Sequence, residues 1–226
     1  MIQRPLYLHE EVLLLALRDK AGTMHSGAWV QSALGGALLG ELFLGDFIRS
    51  NKNGKKDEVV AVSAPSSGDE LLDRSYAAVE SDKKRHSPAT WAARFGASSD
   101  LLPKAAQELI RHGVLRLDEK KVLLLFKRKV YPEVDPRPEA ELTERLRAAI
   151  FDGASAVDPR TTVLVAVAHR TGLLKTNFDP KEVDARKERI EGIVRGDFAG
   201  DATKQAVETT QAAFFVATMV PIFIST

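Results

Sequence analysis

The sequence predicts a mainly α protein: a single globular multi-helix domain, residues 1–226, carrying two small β-hairpins. Three observations lead there. Helix starts recur: Ser87-Pro88, Asp158-Pro159 and Asp179-Pro180 each put a side-chain acceptor at the cap and a proline at the first helical position. Two Ala- and Leu-rich stretches, 8–17 and 28–44, are long and apolar enough to be core helices. Only two pairs of short β-prone runs are present, each joined by a polar connection.

The elements follow in order. Residues 8–17 form the first helix, with Glu10 and Glu11 in the first turn, Arg18 and Lys20 near the end and Gly22 as a stop. Ser26 caps a second helix running to Leu44, and Gly36 and Gly40 share a face where another backbone approaches closely. Residues 47–49 and 59–62 flank Asn53-Gly54, a tight-turn signal inside a highly charged loop. Ser67 with Glu70 reads as a capping box opening a helix to about Glu80. Pro103 starts a helix ending at Gly113, and Pro138 opens one over 139–151. Between them, 114–117 and 122–126 form the second hairpin, joined by the polar turn Asp118-Glu119-Lys120-Lys121. Asp201 caps the last helix, for a total of roughly eight or nine.

With 44% hydrophobic residues there is material for a sizeable core. Net charge is +1, so no global field draws the chain to nucleic acid or membrane; such binding needs a local patch. No cysteine is present, which excludes disulfides, thiolate zinc sites and a thiol nucleophile, and is compatible with a reducing cytoplasm. Residues 1–5 carry no signal-peptide pattern. Residues 28–44 contain Gln31 and Glu41 and fall short of the roughly 20 apolar residues that span a bilayer; 212–224 is shorter and holds Pro221. Both read as buried core helices, with a C-terminal anchor as the alternative for the second.

Catalytic patterns are missing. Of His9, His25, His86, His112 and His169, no two are four apart, and Leu13 stands where a zinc-peptidase helix needs its second histidine. There is no phosphate loop and no Gly-x-Ser-x-Gly elbow, and Gly35-Gly36 with Gly40 lacks dinucleotide spacing. The pairs Glu10/Glu11 and Asp69/Glu70 sit at helix starts, where capping and dipole interactions explain them. The expectation is a non-enzymatic protein with no metal and no cofactor.

Surface constellations remain. Lys127-Arg128-Lys129 leads into Val130-Tyr131-Pro132, a mixture of basic, aliphatic and aromatic residues suited to a headgroup layer. Each such cation contributes on the order of 1 kcal/mol at an anionic surface. A solvated strand end is the competing reading. Lys83-Lys84-Arg85-His86 reads as a solvated loop, and Trp29 and Trp91 as core residues, with headgroup stacking an alternative for Trp29. The helix at 103–112 followed by a hairpin also resembles the end of a winged-helix domain. Its Lys104 and Arg111 are few, and Glu108 lies mid-helix, so no nucleic acid is expected.

The order of motifs resembles the Golgi phosphoprotein 3 family. The opening Leu8-His9-Glu10-Glu11-Val12-Leu13-Leu14-Leu15-Ala16-Leu17-Arg18-Asp19 with Gly22 is similar to that family's start. Leu34-Gly35-Gly36-Ala37-Leu38-Leu39-Gly40-Glu41-Leu42, Leu109-Ile110-Arg111-His112-Gly113-Val114-Leu115 and the run from Asp158 to His169 follow in the family's order. The short N-terminal segment resembles the bacterial branch. The resemblance implies that one hairpin projects. It also implies peripheral binding to an anionic phospholipid surface, with phosphatidylinositol 4-phosphate as the family's lipid. The lipid-contact residues would be Lys127, Arg128, Lys129, Val130, Tyr131, Trp29, Lys104 and Arg111, at the cytoplasmic face of a membrane. Self-association would run through residues 122–131. At the positions matching the family's headgroup pocket, this chain has Ser26, Gly35, Ser99 and Leu102 in place of a tryptophan and three arginines.

Overall fold

The computed structural model describes residues 4–18, 22–24, 27–53, 56–64, 67–122 and 126–198. Ten helices and three two-stranded antiparallel ladders lie among them. The predicted helix at Asp201 and the apolar run 212–224 fall outside the described residues, as do Ser26, the turn residue Gly54 and the Trp29 side chain.

The core is built around two helices. α1 (Leu8–Ala16) is buried at all nine positions. α2 (Gly27–Leu44) is buried at every position from Ala33 to Phe43, so it is enclosed on all sides rather than amphipathic. Its neighbours are α1, α4 (Pro88–Gly96) and α7 (Pro159–Arg170). Among the described residues, no helix is long and apolar enough to cross a membrane.

The proline-cap dipeptides behave as expected. Ser87 accepts from the Thr90 N–H at 3.2 Å and opens α4; Asp158 accepts from the Thr161 N–H at 2.9 Å and opens α7. Asp179 accepts from the Lys181 N–H at 2.7 Å and opens α9 (Pro180–Ala185), following α8 (Leu173–Asn177). α10 (Lys187–Arg195) then packs on α7. Asp158→Ala is expected to cost about 1 kcal/mol, measurable as a lowered urea midpoint.

Several boundaries differ from the sequence reading. α1 ends at Ala16 because Leu17–Arg18 (β1) pairs with Thr23–Met24 (β2). Gly22 is the turn between them at φ +58°, not a helix stop. Its backbone lies so close to Pro132 and Tyr131 that a Cβ would sit 2.2 Å from the Pro132 nitrogen. In the first hairpin, β3 (Ile48–Asn53) and β4 (Lys56–Ala61) pair as expected around the Asn53-Gly54 signal. α3 (Glu70–Ser81) is capped by Asp69, which accepts from the Leu72 N–H at 2.8 Å; Ser67 bonds instead to the Asp69 N–H and to Asp73. α5 (Leu101–Arg111) starts two residues before Pro103, and α6 (Arg137–Ile150) carries Pro138 in its first turn.

The second hairpin is the largest correction. Asp118–Val122 is a strand, β5, paired with β6 (Phe126–Val130); it is not the turn. Leu115 instead makes an isolated bridge to Glu133. The cause is solvation. Where a ribbon is wet on both faces, its strands are as polar as a turn, so polarity no longer marks the connection.

Candidate functional site

The sequence-predicted contact residues divide into four groups. Arg128 and Lys129 are exposed on β6. Val130 and Tyr131, only 1% and 6% exposed, are in the interior at the hairpin's base, where Tyr131 donates its N–H to the Gly22 carbonyl at 2.8 Å. They anchor the ribbon, held in the interior where the end of β6 meets the Gly22 turn. The Lys127 side chain, like that of Trp29, falls outside the described part of the structure.

The register shows what the ribbon presents. Lys120 lies opposite Arg128, Lys121 opposite Lys127, and Glu119 opposite Lys129. Like charges directly across a ladder are destabilising. Two such cross-strand cationic pairs follow one another here, ahead of a connection whose sequence is Leu123-Leu124-Leu125. Lys120 escaped the sequence reading because it was assigned to a turn.

Lys104 and Arg111 do reach one groove, of about 160 Å³, lined by Glu70, Leu71, Lys104, Gln107, Glu108 and Arg111. Each cation there is already paired. Lys104 binds Glu70 and lies 3.6 Å from Asp100; Arg111 binds Glu108. The groove carries two lysine or arginine charges against two glutamates, which suits neither a duplex nor a headgroup.

A larger cavity of about 530 Å³ opens between the N-terminal segment and α6. Arg4, Arg137 and Arg145 face Glu11, Asp135 and Glu141 across it, so its charges also cancel. Behind it lies an ion network legible only in part from the sequence. Arg4 grips the buried Glu10 carboxylate through both terminal nitrogens, at 2.8 and 3.0 Å, while Glu10 also accepts the Tyr7 N–H at 2.7 Å. Arg160 holds Glu41 at 2.8 and 3.0 Å and donates to the Leu6 carbonyl at 2.5 Å. Arg145 meets Glu11 at 2.9 Å. Burial pushes the Glu11 carboxyl above its usual range, against the pull of Arg145 and Arg160. Capping thus explains Asp69 and part of Glu10; Glu11 and Glu41 are held by arginines more than a hundred residues away.

The model of the Golgi phosphoprotein 3 (GPP34) family matches residues 8–210. The chain belongs to the Golgi phosphoprotein 3 family. Gly35, Ser99 and Leu102, which the resemblance aligned with a headgroup pocket, can now be placed. Gly35 packs against α4 so tightly that a Cβ would lie 2.3 Å from the Ala92 carbonyl oxygen and 2.5 Å from the Gly96 nitrogen. No arginine fits at that point of this chain. Ser99 is exposed and Leu102 half-buried, and neither offers a cation.

Proposed function

We propose that this member of the Golgi phosphoprotein 3 family is a non-enzymatic peripheral membrane protein that docks on anionic phospholipid through the β5–β6 ribbon. The observation that supports it most is the cross-strand pairing of Lys120 with Arg128 and Lys121 with Lys127. A ribbon that opposes its own cations is relieved by an anionic surface. With each cation contributing on the order of 1 kcal/mol there, four or five give binding that is salt-sensitive and reversible. The apolar connection Leu123-Leu124-Leu125 would add insertion into the acyl boundary. Selectivity for phosphatidylinositol 4-phosphate is not part of this reading. A phosphomonoester needs several convergent charge-assisted donors, and Gly35, Ser99 and Leu102 supply none.

Cosedimentation with vesicles tests it. The protein is expected to pellet with phosphatidylserine-containing vesicles at low salt, to dissociate as salt rises, and to ignore neutral vesicles. Arg128→Glu with Lys129→Glu should weaken pelleting at least tenfold while leaving the melting temperature unchanged. Replacing part of the phosphatidylserine by phosphatidylinositol 4-phosphate at equal charge should change nothing. Pelleting of the charge-reversed protein equal to wild type would sink the ribbon as the contact.

A further inference from the structure

The sequence reading found no pair of histidines with metal spacing, yet the fold brings together a different donor set. Glu108 on α5 and His112, the C-cap residue that follows the helix, are one helical turn apart and share a face. Glu10 arrives from the first turn of α1. One ligand atom from each of Glu10, Glu108 and His112 lies within 4.8 Å of the other two.

The histidine singles this cluster out from an ordinary group of acids. His112 Nε2 is shut off from solvent and has no hydrogen-bond partner among the described residues, although two carboxylates lie close to the His112 ring. An unpaired buried imidazole nitrogen is costly unless something satisfies it. Both carboxylates do have other contacts. Glu10 accepts from Arg4 and from the Tyr7 N–H, and Glu108 is paired with Arg111. A carboxylate has about four lone-pair sites, so these contacts leave room for a further ligand bond. They also act as outer partners that orient the carboxylates.

We propose that Glu10, Glu108 and His112 bind one divalent first-row transition-metal ion, with zinc the best match, tying α1 to the end of α5. Zinc takes imidazole nitrogen and carboxylate oxygen at about 2.0–2.2 Å, with water completing the shell. Donors on a tetrahedral ion stand about 3.4 Å apart, so the cluster closes by an ångström or so on binding. Magnesium and calcium, which prefer all-oxygen shells, fit this set poorly.

Full-length protein stripped with chelator is titrated with zinc chloride, following heat and thermal melting. One ion per chain is expected, with a raised melting temperature because the ion binds only the folded state. Glu108→Gln, which keeps the side chain's shape, and His112→Ala are each expected to weaken uptake at least tenfold. Magnesium should give no shift. Zinc uptake by either variant equal to wild type, or no uptake by wild type, would overturn the site. The melting temperature of ion-free Glu108→Gln checks that lost binding is not lost folding. If His112→Ala fails to fold, Glu108→Gln alone decides.

Discussion

Arg160→Ala is expected to destabilise the protein by about 3 kcal/mol, the lower end of the range for breaking a buried pair. Arg160 is 28% exposed, so water screens part of the loss. What it leaves behind is nonetheless severe. Glu41 lies in the enclosed helix α2, and with Arg160 gone it keeps, among the described residues, only the Leu8 N–H, at 2.7 Å. Glu11 loses its second arginine, which sits 3.7 Å away. The Leu6 carbonyl loses its donor as well. In a chain of this size the loss corresponds to a fall in melting temperature of roughly 6–12 °C. Arg137→Ala is the control. Its partner Asp135 is two residues away and the arginine is 76% exposed, so its urea midpoint should match wild type. Equal midpoints for both variants would remove the network from the account of stability.

Gly35→Ala is expected to cost about 3 kcal/mol, at the upper end of overpacking effects. The added methyl would meet the Ala92 oxygen and the Gly96 nitrogen, both backbone atoms of α4. Neither can rotate aside, so α2 and α4 must separate along the contact. Gly40→Ala is the comparison. There the methyl meets the Val163 side chain at 2.8 Å, which a small shift of that side chain relieves in part. Chemical denaturation should rank Gly35→Ala well below Gly40→Ala. The same geometry predicts that Gly35→Arg disrupts folding.

The local chemistry was readable. Caps at Ser87, Asp158 and Asp179 depend on a side chain and the backbone two or three residues on, so sequence and structure agree there. The turn at Asn53-Gly54 placed the first hairpin for the same reason. The second hairpin was displaced because Asp118, Glu119 and Lys120 at the start of its strand are not buried and show no alternation. The burial of Val130 and Tyr131 is not legible in sequence, because apolar side chains beside a basic run look alike whether they face lipid or core. Lys104 is neutralised by Glu70 only once α3 and α5 are packed together, whereas Arg111 pairs with Glu108 one turn back on its own helix.

By itself, the sequence determined the helical class, most helix starts and the family, because each rests on near-neighbour spacing or on motif order. Only the tertiary structure decided which charges are spent and which are free. Arg160 and Glu41 are 119 residues apart, and no local rule joins them. Nor could any local rule show that Gly35 has room for nothing larger than hydrogen. Charge pairing and close approach are properties of distances between elements, and those exist only after the core has set them.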